Sequence, residues 1–119
     1  MKTIFITTLL MIFSTSYAVA NSSEVTHVDV RKTGENYNFS VTIKHADTGW
    51  DHYANKWEVV GDKGEVYGTR ILHHPHVNEQ PFTRSLSNVK IPAGIKSVII
   101  RSYDSVHGLG EKEFRVELP

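Results

Sequence analysis

Tyr37-Asn38-Phe39-Ser40-Val41-Thr42-Ile43-Lys44 is the stretch that decides the fold. Tyr37, Phe39, Val41 and Ile43 are apolar, and every residue between them is polar. A period of two gives one buried and one wet face only in an extended strand. Phe114, Val116 and Leu118 alternate in the same way with Glu113, Arg115 and Glu117, and Val28 and Val30 alternate with His27, Asp29 and Arg31. Lys56 to Gly61, Val66 to His73, Phe82 to Ile91 and Lys96 to Asp104 are rich in β-branched or aromatic residues, which suit a pleated surface. No segment sustains a helical period, and there is no internal repeat.

Seven strands in about a hundred residues predict an all-β fold, an Ig-like or fibronectin-III-like antiparallel β-sandwich. Trp57 lies on the third strand, where such sandwiches often bury a tryptophan. The chain has no Cys, so the inter-sheet disulfide of antibody domains is missing, and an exported domain must rely on its core or a bound ligand.

Export is the expectation for the N-terminus. Lys2 precedes a mostly apolar run from Ile4 to Phe13, and Ala18-Val19-Ala20 supplies small residues before Asn21. This reads as a secretory signal peptide over residues 1–20, followed by a single sandwich domain over residues 21–119, periplasmic or secreted. With no Cys after the cleavage pattern, a bacterial lipid anchor is not expected. Thirteen Lys and Arg balance thirteen Asp and Glu without a basic stripe, which argues against nucleic acid as a partner. Both Met residues, Met1 and Met11, fall in the leader, so no soft sulfur ligand remains and any metal chemistry rests on imidazole and carboxylate.

The connections are of two kinds. Residues 32–36, 61–65 and 92–95 are short and bear Gly or Pro, as tight turns require, whereas 46–55, 74–81 and 105–112 are longer. If consecutive strands run antiparallel, the tight turns share one end and the long loops share the other. All seven histidines, His27, His45, His52, His73, His74, His76 and His107, then fall at the long-loop end. Imidazole is the commonest protein metal ligand and titrates nearest neutral pH, so converging histidine loops form a candidate metal site, proton-handling site or pH-sensitive surface.

Within that set, Pro75 pushes His74 toward an extended conformation, and His74 and His76 project to the same side as a chelating pair, with His73 facing away. Glu79, just downstream, is a secondary candidate, as an oxygen ligand or as a partner that orients an imidazole. His107 sits in a Gly-bearing turn. His45 continues the inward face of Tyr37 to Ile43 and is either a satisfied core histidine or a ligand beneath the loops. Trp50 and Tyr53 flank His52 and either cap the end of the core, the simpler reading, or form the wall of a site. Arg84 pairs structurally with a carboxylate or presents an anion-binding fork. No G-x-S-x-G elbow, phosphate-cradling loop, CxxC or H-E-x-x-H motif is present, and no catalytic residue is assigned.

Gly49-Trp50-Asp51-His52-Tyr53-Ala54, His74-Pro75-His76-Val77-Asn78-Glu79-Gln80-Pro81-Phe82-Thr83-Arg84-Ser85 and Asp104-Ser105-Val106-His107-Gly108-Leu109-Gly110 together resemble a family of small exported bacterial Ig-like proteins of unassigned function. Locally, His74-Pro75 and His107-Gly108-Leu109 are similar to pieces of superoxide reductase, a sandwich whose iron is held by four histidines and a cysteine. The cysteine expected before the His-Gly is absent, with Ser105 and Val106 in that region, so that redox site is not assembled and its activity is not carried over.

The expectation is therefore an exported protein holding Cu(II) or Zn(II) through His45, His52, His74, His76 and His107, with Glu79 in reserve, for storage, delivery or sensing. The alternative is a metal-free Ig-like module that recognises a protein, such as a periplasmic partner, or a small ligand through the same loops, the Trp50/Tyr53 loop and the His74-Pro75-His76 loop, with Arg84 as a further contact. A small metal-dependent enzyme would further need an open coordination position.

Overall fold

Strand β2 (Asn36–Lys44) carries the expected alternation into the structure: Tyr37, Phe39, Val41 and Ile43 are buried, and the residues between them are half-buried. The computed structural model describes residues 22–119, and the signal peptide expected over residues 1–20 lies outside the described residues. β1 (Glu24–Thr33) and β5 (Phe82–Val89) flank β2 in a three-stranded antiparallel sheet. The second sheet runs β4 (Val66–Ile71), β3 (Ala54–Val60), β6 (Ser97–Asp104). Along its far side β6 pairs with two short strands, β7 (Gly108–Leu109) near its end and β8 (Phe114–Glu117) near its start.

Every strand pair is antiparallel, so each sheet presents one apolar face, and the two faces bury one another as a β-sandwich. Phe39, Val41, Ile43 and Phe82 from one sheet meet Trp57, Val59, Val98 and Ile100 from the other. Trp57 is fully buried, as expected of a third-strand tryptophan.

Seven of the strands were expected from the alternation. The eighth, β7, is a two-residue element inside the segment expected to be a loop, paired as Tyr103↔Leu109 and Asp104↔Gly108. Periodicity cannot register so short a strand. The fifth strand stops at Val89 rather than Ile91: the register with β2 shifts between Tyr37 and Phe39, and Asn88 adopts a positive φ of 59° while its N–H donates to the Asn38 side chain.

The register confirms the two-ended layout. Thr33↔Asn36, Tyr37↔Val89, Val60↔Val66 and Val60↔Ile99 bring the tight turns together at one end. Glu24↔Lys44, Ile43↔Phe82 and Ala54↔Asp104 bring the strand ends that feed the long loops together at the other.

Candidate metal centre

Strand parity delivers the first two groups. The inward face of β2 continues beyond Ile43 into His45 and then Asp47, both buried. The inward face of β6 runs Val98, Ile100, Ser102, Asp104, and Asp104 is buried in turn. Each sheet thus ends its apolar stripe in an ionisable residue. The third group arrives on a turn: the His52 N–H donates to the Gly49 carbonyl (3.2 Å) and the Thr48 N–H to the His52 carbonyl (3.0 Å). Gly49 takes φ 146°, a conformation few side chains tolerate, and the chain doubles back to aim His52 inward.

His45 Nε2 lies 3.2 Å from His52 Nε2, which lies 3.1 Å from Asp104 Oδ1. One ligand atom from each of these residues falls within 4.8 Å of the others. Donors about 2.0–2.1 Å from a tetrahedral ion sit about 3.3 Å apart along each edge, so two of the three separations already match such a shell. His107 closes the outer side: its Nδ1 is 3.2 Å from Asp104 Oδ1, and its ring lies 4.9 Å from that of His52.

Proton placement sharpens the case. Asp47 Oδ1 accepts from His45 Nδ1 at 2.5 Å and from the Ala54 N–H at 3.0 Å, while its Oδ2 accepts from the His76 N–H at 2.7 Å. A carboxylate only accepts, so His45 donates from Nδ1, and Nε2 of the neutral ring offers a lone pair. His45 Nε2, His52 Nε2 and Asp104 Oδ1 thus bring potential ligand atoms together, a set that suits a cation. The Asp47–His45 pair is also the carboxylate–histidine arrangement that orients an imidazole toward a metal.

Asp104 is prepared as an anion. Burial pushes its carboxyl upward, but the backbone N–H groups of His107 and Val106, together with the nearby His107 and His45 imidazoles, outweigh this and hold it below the usual aspartate value. Those N–H groups donate to Oδ1 at 2.7 and 2.9 Å. Among the described residues, the ion pairs of Asp47 and Asp104 are all with histidines. Two buried carboxylates without a Lys or Arg partner match the charge of a divalent ion.

The other expected residues lie around this centre. His76 is buried, its ring stacked on Phe82 (4.1 Å, interplanar angle 10°), and the exposed His74 ring is 4.7 Å away. Both His76 ring nitrogens are buried and have no hydrogen-bond partner among the described residues. Glu79 pairs with Arg84 at 3.0 Å, and the bond from Arg84 holds its carboxyl below the usual glutamate value. Arg84 also donates to the Thr83 carbonyl, so its guanidinium is engaged locally. Trp50 is 68% exposed and meets Tyr53 edge-on at 5.7 Å; it does not cap the core as the simpler reading had it, because the 49–52 turn carries it outward. His73 is exposed, and the exposed His27 pairs with Asp29 at 3.2 Å.

Asp47 and Asp104 were missed by the sequence reading. Their signal was present: each lies in phase with the buried face of its strand, where a carboxylate is costly unless it has a job.

No family model matches this chain, and no solved structure matches it. The chain is 34% identical over 109 residues to a protein of Halomicrobium mukohataei described as "Putative lipoprotein". The match covers 82% of this chain and 53% of that protein, so the chain spans about half the length of the curated relative it matches.

Proposed function

We propose that this is an exported protein that binds a divalent transition metal, Cu(II) or Zn(II), through His45, His52 and Asp104, with His107 as the outer ligand. The observation that carries the reading is the meeting of three electron-pair donors within 4.8 Å, backed by the Asp47 bond to His45. Imidazole nitrogen with one carboxylate oxygen, and no thiolate, suits these borderline ions. The leader-like residues 1–20 and the similarity to a protein described as a lipoprotein support export. Storage, delivery or sensing of the metal is the corresponding role. Calorimetry on metal-stripped protein tests the reading. Sub-micromolar binding that His52→Ala weakens by at least tenfold is expected; no binding tighter than about 10 μM would end it.

A second reading draws on the rim. Trp50, Val77 and Val106 are exposed on the long loops, and Leu109 is exposed on the short β7 beside them. Loops on a rigid sandwich commonly recognise partners, so a metal-free binding module using Trp50 and Tyr53 is the alternative. It requires thermal stability to be indifferent to added metal and partner binding to be lost on Trp50→Ala.

A further inference from the structure

The His74-Pro75-His76 segment is not absorbed by the centre above. Its rings meet each other and Phe82, whereas His52 meets His45 and His107. His76 is 6% exposed, and packing on Phe82 accounts for its ring but not for its two buried, unpartnered nitrogens. An apolar ring would stack equally well and leave no polar atom unmet, so the imidazole points to an unassigned ligand.

We propose that His74 and His76 form a second divalent-metal site, separate from the His45–His52–Asp104 centre and entered from solvent at the exposed His74. His74 Nδ1 lies 3.3 Å from the Pro75 carbonyl; a carbonyl only accepts, so the proton sits on Nδ1 and Nε2 keeps its lone pair. The backbone of His76 is pinned at both polar groups. Its N–H donates to Asp47 Oδ2 at 2.7 Å, and its carbonyl accepts from Gln80 Nε2 at 3.0 Å. Pro75 between the two imidazoles stiffens the link, so the pair loses little freedom on chelation. Arg84, the nearby cation, is paired with Glu79, which limits its repulsion of a bound ion.

The site is independent of the proposed function, and the test separates the two. Cu(II) is titrated into the full chain freed of any leader, with stoichiometry read by native mass spectrometry and affinity by calorimetry. The wild type is expected to take a second equivalent that His74→Ala and His76→Phe each remove. The exposed His74 can be truncated without opening the core, and Phe at 76 keeps the stack, with circular dichroism checking the fold. In His52→Ala this equivalent persists. It vanishes when His74→Ala is added, even if the first centre binds nothing. Wild-type stoichiometry and affinity in both His74→Ala and His76→Phe would overturn the proposal.

Discussion

Asp47→Asn is the sharpest single perturbation, because Asp47 is not itself placed as a ligand and its substitution changes volume hardly at all. Its two oxygens accept three N–H bonds, from His45 Nδ1, Ala54 N and His76 N. An asparagine must put its NH2 where one oxygen was. Placed at the Oδ2 position it faces the His76 N–H, so one bond becomes a donor–donor contact; placed at Oδ1 it faces two donors. The first is cheaper and costs about 1.5–3 kcal/mol, the worth of one hydrogen bond to a charged group. For a domain of this size each kcal/mol shifts the midpoint by about 4–8 °C, so the metal-free protein should melt roughly 6–24 °C lower. Losing the carboxylate behind His45 should also weaken Zn(II) binding by about 10–100-fold. Thermal melts in EDTA and Zn(II) calorimetry read the two effects separately. Asp29→Asn is the matched control: it removes the same kind of His–Asp contact where both partners are well exposed, and should move neither readout. Asp47→Asn melting and binding like wild type would refute the assigned proton positions and the role of Asp47 behind the centre.

Three further outcomes follow from the same structure. Zn(II) added at a hundred times its Kd should stabilise the folded state by about 2.7 kcal/mol, reversibly with EDTA, and His52→Ala should lose most of that gain; an unchanged melting midpoint on metal addition counts against the centre. Trp50→Ala should leave the metal-free midpoint within about 4 °C of wild type, because Trp50 contributes to the rim and not to the core; a larger fall would mean that it packs inward after all. Burial, then a hydrogen bond from its phenol to Glu58, raises Tyr103 above the ordinary tyrosine value. A raised folded value means that its contribution to stability is complete below pH 10 and is lost as pH climbs through the folded pKa. The difference between wild-type and Tyr103→Phe absorbance titrations near 295 nm should isolate a tyrosine that ionises above the ordinary value, and its titration at the ordinary value would contradict the partial burial and the bond to Glu58.

The strands were legible because their signal is local. Alternation in Tyr37 to Ile43 and Phe114 to Leu118 follows from the pleat alone, and Gly- and Pro-bearing turns told short connections from long ones. Alternating strand direction was enough to send the histidines to one end. It was not enough to say which of them meet. His45, His52 and Asp104 are joined by the Ala54↔Asp104 pairing in one sheet and by the packing of β2 from the other, and neither leaves a trace in local periodicity.

Residue type and strand parity point to different oxygens. Residue type alone singles out Glu79, which is paired with Arg84, whereas parity singles out Asp47 and Asp104. Those two aspartates continue apolar faces, in phase with Ile43 and Ile100. By itself, the sequence determined the β-sandwich, its two unlike ends and the imidazole-rich character of one of them. Only the tertiary structure decided which lone pairs converge, because the final ångströms are set by sheet register and by contacts such as His52 with Asp104, which lie 52 residues apart in the chain.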